Sequence, residues 1–446
     1  MKRDIGAERA KDRSRRRVGG RDNEPSDYRS PGEKDRDRVL YSAEFRRLAG
    51  VTQVGAAHER HLIHNRLTHS LKVAQMGRRI AERLLDQEDS NLDEAGLMPD
   101  VVETAGLIHD MGHPPFGHAA EEALASALED CGGFEGNAQS FRIVTKLSTR
   151  DFNSPGLDLT KATLGAVLKY PQLTPPNTPP DLTDRSKGKK WGAYETELED
   201  FQFALGSVPA KGVAGVRTPN AIVMDWADDI SFATHDLEDF IHAGIVQLET
   251  LASQWDEFCI DGKGRLAGKN GFNPDEYDRA CQRVRSLFEG FKPYDGTRQH
   301  RAKLHSLISD LITDLDHACS EVDGPPYVEV NPHRQYVAEV LKHITNYYVV
   351  SNPSIRAAEA GQKKTVMRLH EELVESLTDR LAKQRSGCPD LLDEMFRAAA
   401  KEQDELEALR RAAADYICTL TEQQAVDLLG RISGQTPADS LGVWLR

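Results

Sequence analysis

One short stretch of the chain concentrates side chains that can bind metals or move protons. In order, an apolar run is followed by His109, Asp110, His113, His118 and Glu121. Neutral imidazoles and carboxylates are the ligands that Zn, Mn, Fe and similar divalent ions accept. Glycines and a Pro-Pro pair then break the helix that carries the His-Asp pair. A polar end to a buried helix indicates a functional site, because unpaired buried polar groups are costly.

A metal site here needs ligands from other parts of the chain, because a His-Asp pair alone has little specificity. A second such pair, His235-Asp236, illustrates this. Two other helix-like segments carry His69 and Asp228 among apolar residues, and a buried carboxylate favours a metal or a cation as its partner. Together with the first pair, they supply two imidazoles and two carboxylates from three helices. This is a plausible ligand set that leaves positions for water and substrate.

Proton transfer has its own candidate pair. His118 and Glu121 lie three residues apart at the start of a predicted helix and share one face. A carboxylate beside an imidazole orients it as a base, and the pair can take a proton from water or deliver one. The sequence has no serine or cysteine nucleophile motif and no Walker loop, so water is the expected nucleophile.

The elements that must position these residues are predicted to be helices. Apolar residues recur at three- and four-residue spacing over 65–85, 100–109, 118–130, 134–147, 221–240, 274–320 and 333–430. No period-two strand pattern of any length and no internal repeat is present. The sequence therefore predicts an all-α fold.

Composition divides the chain into three regions. Residues 1–36 are charged and almost free of large apolar residues, which predicts a disordered tail, with its densest basic run at Arg13–Arg17. Residues 37–250 carry the candidate site and are expected to form the core. Within them, the Pro-, Gly- and charge-rich segment 171–218 predicts a long loop or flap. Residues 251–446 are expected to form a helical C-terminal region.

Charge and hydropathy exclude several classes of protein. A net charge of −14 opposes a general nucleic-acid binder, and it requires local lysines, arginines or a metal to hold a polyanion. No window approaches eighteen consecutive apolar residues, and the N-terminus lacks the apolar segment of a secretion signal. The six cysteines are scattered and are expected to be reduced thiols. A cytoplasmic protein without a membrane span is expected.

The motifs resemble those of a known family and recur in its order across about residues 35–425. The chain resembles the HD superfamily of metal-dependent phosphohydrolases, and more narrowly its deoxyguanosine triphosphate triphosphohydrolase branch. The matching segments are Asp37–Leu48, Thr52–Val54, Asn65–Ser70, Ala105–Glu121, Phe134–Gln139, Leu168–Pro171, Ala227–Ile230 and Asp415–Ile417. The resemblance implies an HD-domain helical bundle with additional C-terminal helices that complete the active site and form oligomer contacts.

The resemblance also implies a reaction and a metal. The reaction is hydrolysis of a deoxynucleoside triphosphate, dGTP-like, to deoxynucleoside and tripolyphosphate by attack of water at the α-phosphate. A divalent metal, Mg, Mn or another transition metal, is implied, with four ligands: His69, His109, Asp110 and Asp228. His118 and Glu121 are implied as the acid/base pair, with His113 near the α-phosphate.

Further residues are implied in substrate binding. Gln53 and Asp236 would contact the 3′-hydroxyl of the sugar. The nucleotide and its phosphates would be held by Arg66, Asn137, Lys169, Tyr170 and Lys190. Phe232 stands where many relatives carry tyrosine, so one sugar-contacting hydroxyl is missing. A site that cannot hydrogen-bond the sugar discriminates less well, and strict selection of deoxy over ribo substrates is therefore in question.

Two alternative functions stay open. The first is an HD-type phosphohydrolase of nucleoside monophosphates or cyclic nucleotides. The second is a nucleotide sensor or single-stranded nucleic-acid binder with little turnover, for which the basic tail offers a weak single-stranded DNA contact. In each case a homo-oligomer, as a tetramer or hexamer, is expected from the resemblance.

Overall fold

The structure is a computed structural model, and its regular structure is almost entirely helical, which confirms the all-α prediction. It describes residues 8, 11–18, 27–53, 64–151, 154–174, 190–206, 215–268, 271–289, 291, 293–350, 353–382 and 388–434, without the side chains of residues 349 and 350. The helices are α1 Pro31–Tyr41, α2 Ala43–Arg47, α3 Arg66–Leu85, α4 Leu92–Ala95, α5 Pro99–Ile108, α6 His118–Ala127, α7 Gly136–Arg142, α8 Lys161–Val167, α9 Leu198–Leu205, α10 Pro219–His242, α11 Leu248–Ser253, α12 Trp255–Leu266, α13 Pro274–Phe288, α14 Arg298–Asp316, α15 Pro332–Thr345, α16 Pro353–Leu381, α17 Asp390–Ala399, α18 Glu405–Ile417 and α19 Glu422–Ile432.

Short turns and two small hairpins complete the regular structure. Single 3₁₀ turns cover Leu48–Gly50 and Glu195–Glu197, and π-helical turns cover Ile143–Leu147 and Asn346–Val350. Strands β1 Thr149–Asp151 and β2 Ser154–Pro155 pair antiparallel, as do β3 Cys319–Glu321 and β4 Val328–Val330. Strands this short carry no readable period of two, which is why the sequence did not indicate them.

Local chemistry sets the boundaries of the helices that carry the site. The Asn65 side chain accepts a hydrogen bond from the Thr68 amide, so α3 begins at Arg66. The Thr218 hydroxyl caps α10 in the same way, and proline follows at the first helical position. Helix α5 ends at Ile108, and α6 starts at His118 only after a turn in which Phe116 and Gly117 adopt φ of 69° and 57°.

Helices α3, α5 and α10 pack together in the larger of two hydrophobic clusters. Gly106 on α5 allows the closest approach, because a Cβ there would lie 2.8 Å from the Cα of Ala74 on α3. The crossing brings the end of α5, with His109, next to the first turn of α3, with His69. Small size at position 106 is therefore a condition for the site.

The smaller hydrophobic cluster joins α6 to the C-terminal helices α16 to α19. Buried charges reinforce the contact between the N- and C-terminal parts. Arg142 on α7 donates to Asp415 on α18 and to Glu197, and all three side chains are buried. The site therefore lies where the two clusters meet, with His109 at the end of α5 and His118 at the start of α6.

Residues 1–7, 9, 10 and 19–26 of the predicted N-terminal tail lie outside the described residues, and the described part contains ordered structure. Helix α1 already begins at Pro31, and residues 11–18 lie against the fold. Arg16 pairs with the buried Asp35, and Arg17 donates to Asp200 across 2.5 Å. Carboxylates distant in sequence neutralise these arginines, and tail composition alone cannot reveal such partners.

The predicted loop at 171–218 contains more structure than its composition suggested. It includes the Glu195–Glu197 turn and helix α9, and Leu173 bridges to Ala193. Residues 175–189 and 207–214, which belong to the predicted flap, lie outside the described residues. In the part of the chain that the structure covers, no helix has the length and apolarity needed to cross a membrane.

Candidate active site

Three side chains from three helices converge on a small volume. His69 Nε2 on α3 lies 3.1 Å from Asp228 Oδ1 on α10. His109 Nε2, just past α5, lies 3.5 Å from the same oxygen. Both imidazoles are buried and the Asp228 carboxylate is half-buried. The structure thus brings together three of the four residues that the sequence suggested as metal ligands.

The hydrogen bonding of His109 suits a metal ligand. Its Nδ1 lies 2.7 Å from the carbonyl oxygen of Gly106 and donates to it. This bond fixes the tautomer and leaves the Nε2 lone pair facing Asp228. In the structure Nε2 is buried without a hydrogen-bond partner, which is costly unless another group binds it. Divalent ions accept imidazole and carboxylate donors, so the three residues together fit a divalent ion.

Asp110 lies beside this cluster and has a different set of contacts. Its Oδ1 is 3.5 Å from His109 Nε2 and 3.1 Å from His113 Nδ1, while its Oδ2 accepts a 2.7 Å hydrogen bond from Arg66. Burial would raise the pKa of Asp110, but Arg66 and the neighbouring imidazoles hold it well below its usual range. Arg66, which the resemblance implies as a nucleotide contact, is buried and bonded to Asp110, and its contact with a nucleotide stays a prediction.

A second group of proton-carrying side chains adjoins the first. His118 Nδ1 lies 2.5 Å from Glu121 Oε2, and His113 Nε2 lies 3.8 Å from Glu121 Oε1. The Gly136 amide also donates to Glu121 Oε1 across 2.9 Å. Burial would raise the pKa of Glu121, but His113 and His118 outweigh it and lower that pKa. His118 is the exposed member, with 68% of its side chain accessible, so its free Nε2 can meet a substrate.

Two lysines place positive charge next to these groups. Lys169 Nζ donates to Asp228 Oδ2 across 2.9 Å and lies 5.7 Å from the centre of the Tyr170 ring. Lys190 Nζ lies 5.6 Å from the same ring. Burial would lower the pKa of Lys190, but Tyr170 and Glu135 raise it. The structure therefore brings together Lys169, Tyr170 and Lys190.

The remaining residues predicted to contact the substrate are Asn137, Gln53, Asp236 and Phe232. The Asn137 side-chain amide donates to Glu135 across 2.6 Å. Gln53 Oε1 and Asp236 Oδ2 are both buried without a partner, so each has capacity for a ligand. Burial and the nearby Asp239 carboxylate raise the pKa of Asp236 well above its usual range, which favours its neutral form. Phe232 lies one turn past Asp228 on α10 and is half-buried.

Several residues that shape the site were not given a role by the sequence. The Ser140 hydroxyl donates to the His109 carbonyl across 2.9 Å and accepts from the Gly112 amide across 2.8 Å. Arg47 and Glu422 bind backbone atoms of the same segment from other parts of the chain. Arg47 lies within the Asp37–Leu48 motif, but the partners of these residues are distant in sequence, and a single sequence has no pattern that identifies such partners.

Comparison with known proteins agrees with this geometry. The HD domain family matches residues 66–232, and the phosphohydrolase-associated domain family matches residues 328–431. The first match covers the helices that carry the histidine and aspartate cluster. Fold, site and match together define an HD-domain phosphohydrolase, a class whose domains bind divalent metals.

Similar proteins narrow the class. A deoxyguanosinetriphosphate triphosphohydrolase-like protein of Streptomyces coelicolor is 35% identical over 92% of this chain and 95% of its own length. Proteins with the same description from Corynebacterium diphtheriae and Vibrio parahaemolyticus are 36% and 31% identical, over 89% and 90% of this chain and 90% and 93% of their own lengths. The chain belongs to the deoxyguanosinetriphosphate triphosphohydrolase-like family of HD phosphohydrolases.

Proposed function

We propose that this protein hydrolyses deoxynucleoside triphosphates to deoxynucleoside and tripolyphosphate, with water attacking the α-phosphorus. The observation that carries the proposal is the adjacency of two clusters. The His69, His109 and Asp228 cluster and the His113, His118 and Glu121 cluster are linked through Asp110, whose Oδ1 is within 3.5 Å of both His109 and His113. A phosphoryl group between them would meet a metal site on one side and a proton-transfer pair on the other.

The metal ligands in this proposal are His69, His109, Asp110 and Asp228, with magnesium or manganese as the first ions to test. A divalent ion bound there would polarise a phosphoryl oxygen and lower the pKa of a bound water. The residues themselves supply the geometry. Gly106 fixes the His109 ring and Arg66 fixes the Asp110 carboxylate.

Proton transfer is assigned to His118 Nε2. Glu121 holds Nδ1 of the same ring, so Nε2 is the nitrogen that faces the substrate. It can accept the proton of the attacking water or protonate the departing 5′-oxygen. His113 is proposed to face the α-phosphate from its position between Asp110 and Glu121.

The triphosphate is assigned to the cations around Tyr170. Phosphoryl transfer depends mainly on positioning and on charge neutralisation, and Lys169, Lys190, Tyr170 and Asn137 would provide both. Gln53 and Asp236 would contact the sugar, because their side chains have buried oxygens without partners.

The missing hydroxyl at Phe232 weakens sugar recognition. We therefore expect Phe232→Tyr to increase the ratio of deoxy- to ribonucleotide turnover.

The decisive experiment is product analysis with the purified full chain. Each deoxynucleoside triphosphate is incubated with Mn or Mg in ¹⁸O-labelled water. The products are then separated, and their masses are measured by mass spectrometry. We expect deoxynucleoside and tripolyphosphate, with the label in tripolyphosphate because the P–O5′ bond breaks. Release of orthophosphate, or inactivity with every nucleotide, would exclude the proposal.

The length of the phosphate chain separates the proposal from its nearest alternative. A hydrolase of monophosphates or cyclic nucleotides has no need of Lys190, whereas a triphosphate does. We expect Lys190→Ala to raise KM for triphosphates, and Lys303→Ala, an exposed lysine on α14, to leave it unchanged. If Lys190→Ala turns over triphosphates normally and monophosphates are the better substrates, the alternative is favoured.

A sensor or single-stranded DNA binder is the other alternative, and the tail arginines give it little support. Arg16 and Arg17 bind carboxylates of the fold itself. Deletion of residues 1–30 followed by a DNA-binding measurement tests this function separately from hydrolysis.

The proposal also includes a homo-oligomer, tetramer or hexamer, which light scattering of the purified chain would measure.

A further inference from the structure

The turn between His113 and His118 has an unfavourable backbone conformation. Phe116 has φ of 69°, a left-handed conformation that a bulky side chain rarely adopts, and Gly117 follows with φ of 57°. Such a conformation persists only where surrounding contacts hold it. The contacts therefore matter, because this turn sets where His118 and Glu121 lie relative to His109.

One buried carboxylate holds the turn from the far end of the chain. Glu422, the first residue of α19, accepts a hydrogen bond at Oε1 from the Phe116 amide across 3.3 Å. The same oxygen accepts from the Thr52 amide across 2.8 Å, and Oε2 accepts from the Thr52 hydroxyl across 2.9 Å. Glu422 is almost fully buried and 370 residues from Thr52 in sequence. A single carboxylate thus joins two separate segments.

A buried arginine secures the same region from a second side. Arg47 donates from Nη2 to the carbonyl oxygens of Met111 and His113, across 2.9 and 2.7 Å, and from Nη1 to that of Leu420 across 2.9 Å. Leu420 lies two residues before Glu422. Both ends of the 111–116 segment are therefore tied to the connection between α18 and α19.

The joined segments carry groups from both sides of the proposed reaction. Thr52 precedes Gln53, whose side-chain oxygen is buried without a partner, and Phe116 lies two residues before His118. We propose that Glu422 is a positioning residue that sets the separation between the sugar-contacting Gln53 and the proton-transferring His118. The phosphohydrolase-associated domain, to which Glu422 belongs, would thus act on the active site through one carboxylate. This inference rests on the proposed function.

Three variants separate positioning from general stability. Glu422→Ala removes the acceptor from both amides. Glu422→Gln keeps it, because the amide oxygen can accept from Thr52 and Phe116 while its NH₂ donates to the Thr52 hydroxyl. Gln423→Ala is the matched control, since Gln423 is the exposed neighbour on the same helix.

The first measurement is amide hydrogen exchange, which does not depend on any activity. In Glu422→Ala we expect segments 47–53 and 111–118 to exchange about tenfold faster, as loss of roughly one hydrogen bond requires. Glu422→Gln and Gln423→Ala should match the wild type. Unchanged exchange of both segments in Glu422→Ala would overturn the proposal.

The second measurement is steady-state kinetics with the metal-loaded protein. We expect Glu422→Ala to lower kcat at least tenfold and to shift the pH profile, while metal content stays normal and Glu422→Gln restores both. Equal loss in Glu422→Gln, or faster exchange without any change in kcat, would reject a positioning role. If Glu422→Ala does not fold, Glu422→Asp replaces it, because the shorter side chain keeps the charge but cannot reach both amides, and the same changes in exchange and kcat are expected. A wild-type protein inactive on every triphosphate would refute the proposed function, whereas the exchange data would still decide whether Glu422 holds the two segments.

Discussion

Arg66 donates a 2.7 Å hydrogen bond from Nη1 to Asp110 Oδ2, and both side chains are almost fully buried. Arg66 opens helix α3 and Asp110 follows α5, so the pair ties together the two helices that supply His69 and His109. The bond also directs Asp110 Oδ1 toward His109 and His113. Arg66 thus holds in place the carboxylate of Asp110, a proposed metal ligand.

Arg66→Ala is expected to weaken both metal binding and folding. The change leaves a buried carboxylate without its cation, which costs about 3–5 kcal/mol of unfolding free energy. Metal affinity should fall roughly 10–100-fold, as is typical when a ligand loses its supporting hydrogen bond. Urea unfolding and metal titration measure the two effects. Arg78→Ala, which removes only partly exposed ion pairs, should change stability by less than about 1 kcal/mol. Equal effects in the two variants would contradict a special role for Arg66.

Asp228→Ala is expected to abolish metal binding and activity while helicity stays unchanged. Asp228 is the carboxylate shared by His69 and His109, so its removal takes away one of the two proposed anionic ligands and the only one that lies close to both imidazoles among the described residues. Metal content after dialysis and far-ultraviolet circular dichroism measure the outcome. Asp225→Ala is the matched control for metal content one turn earlier on α10, where Asp225 pairs with Arg217 and lies 3.7 Å from Lys169. Full metal stoichiometry in Asp228→Ala would show that the ligand assignment is wrong.

Gly112→Ala is expected to destabilise the protein by about 1–3 kcal/mol through overpacking. A Cβ at position 112 would lie 2.2 Å from the Ser140 amide nitrogen and 2.3 Å from the Gly136 carbonyl oxygen, both of which are backbone atoms. Gly361→Ala is the control, because a Cβ in that helix meets nothing within 4 Å. That change should stabilise the protein by about 0.5–1 kcal/mol. Chemical unfolding of both variants tests the contrast, which a loss of stability at position 361 would contradict.

His235 is expected to make stability depend on pH. Burial, with the nearby Lys72 and His64, lowers the pKa of His235 to about 2, so the folded protein keeps the ring neutral. The unfolded chain binds a proton near pH 6.5. The free energy of unfolding should therefore decrease as the pH falls below 6.5, by about 1.4 kcal/mol per pH unit from this group.

His235→Phe is expected to remove this contribution to the slope. Unfolding free energies of wild type and variant, compared between pH 5 and pH 8, should converge or cross as the pH falls. His305→Gln, an exposed histidine on α14, should run parallel to the wild type. Parallel curves for His235→Phe would show that its imidazole does not stay neutral in the folded protein.

Local spacing predicted much of the fold and some of the site. Helix α3 was expected over 65–85 and spans Arg66–Leu85, and α5 was expected over 100–109 and spans Pro99–Ile108. The three-residue spacing of His118 and Glu121 predicted their contact, which the structure confirms at 2.5 Å. These successes share one cause, because residues three or four apart on a helix must lie on one face.

Only the tertiary structure decided which helices meet and which buried groups support the site. His69 reaches Asp228 over 159 residues of sequence because α3 packs against α10, and His109 joins them because Gly106 lets α5 pack closely on α3. Glu422 reaches Thr52 and Phe116 because the start of α19 lies against residues 50–52. The sequence by itself determined the helices, the candidate donors and the family resemblance. The orientation of Arg66, the docking of the N-terminal arginines and the carboxylate of Glu422 depend on contacts between distant residues, which helical periodicity does not encode.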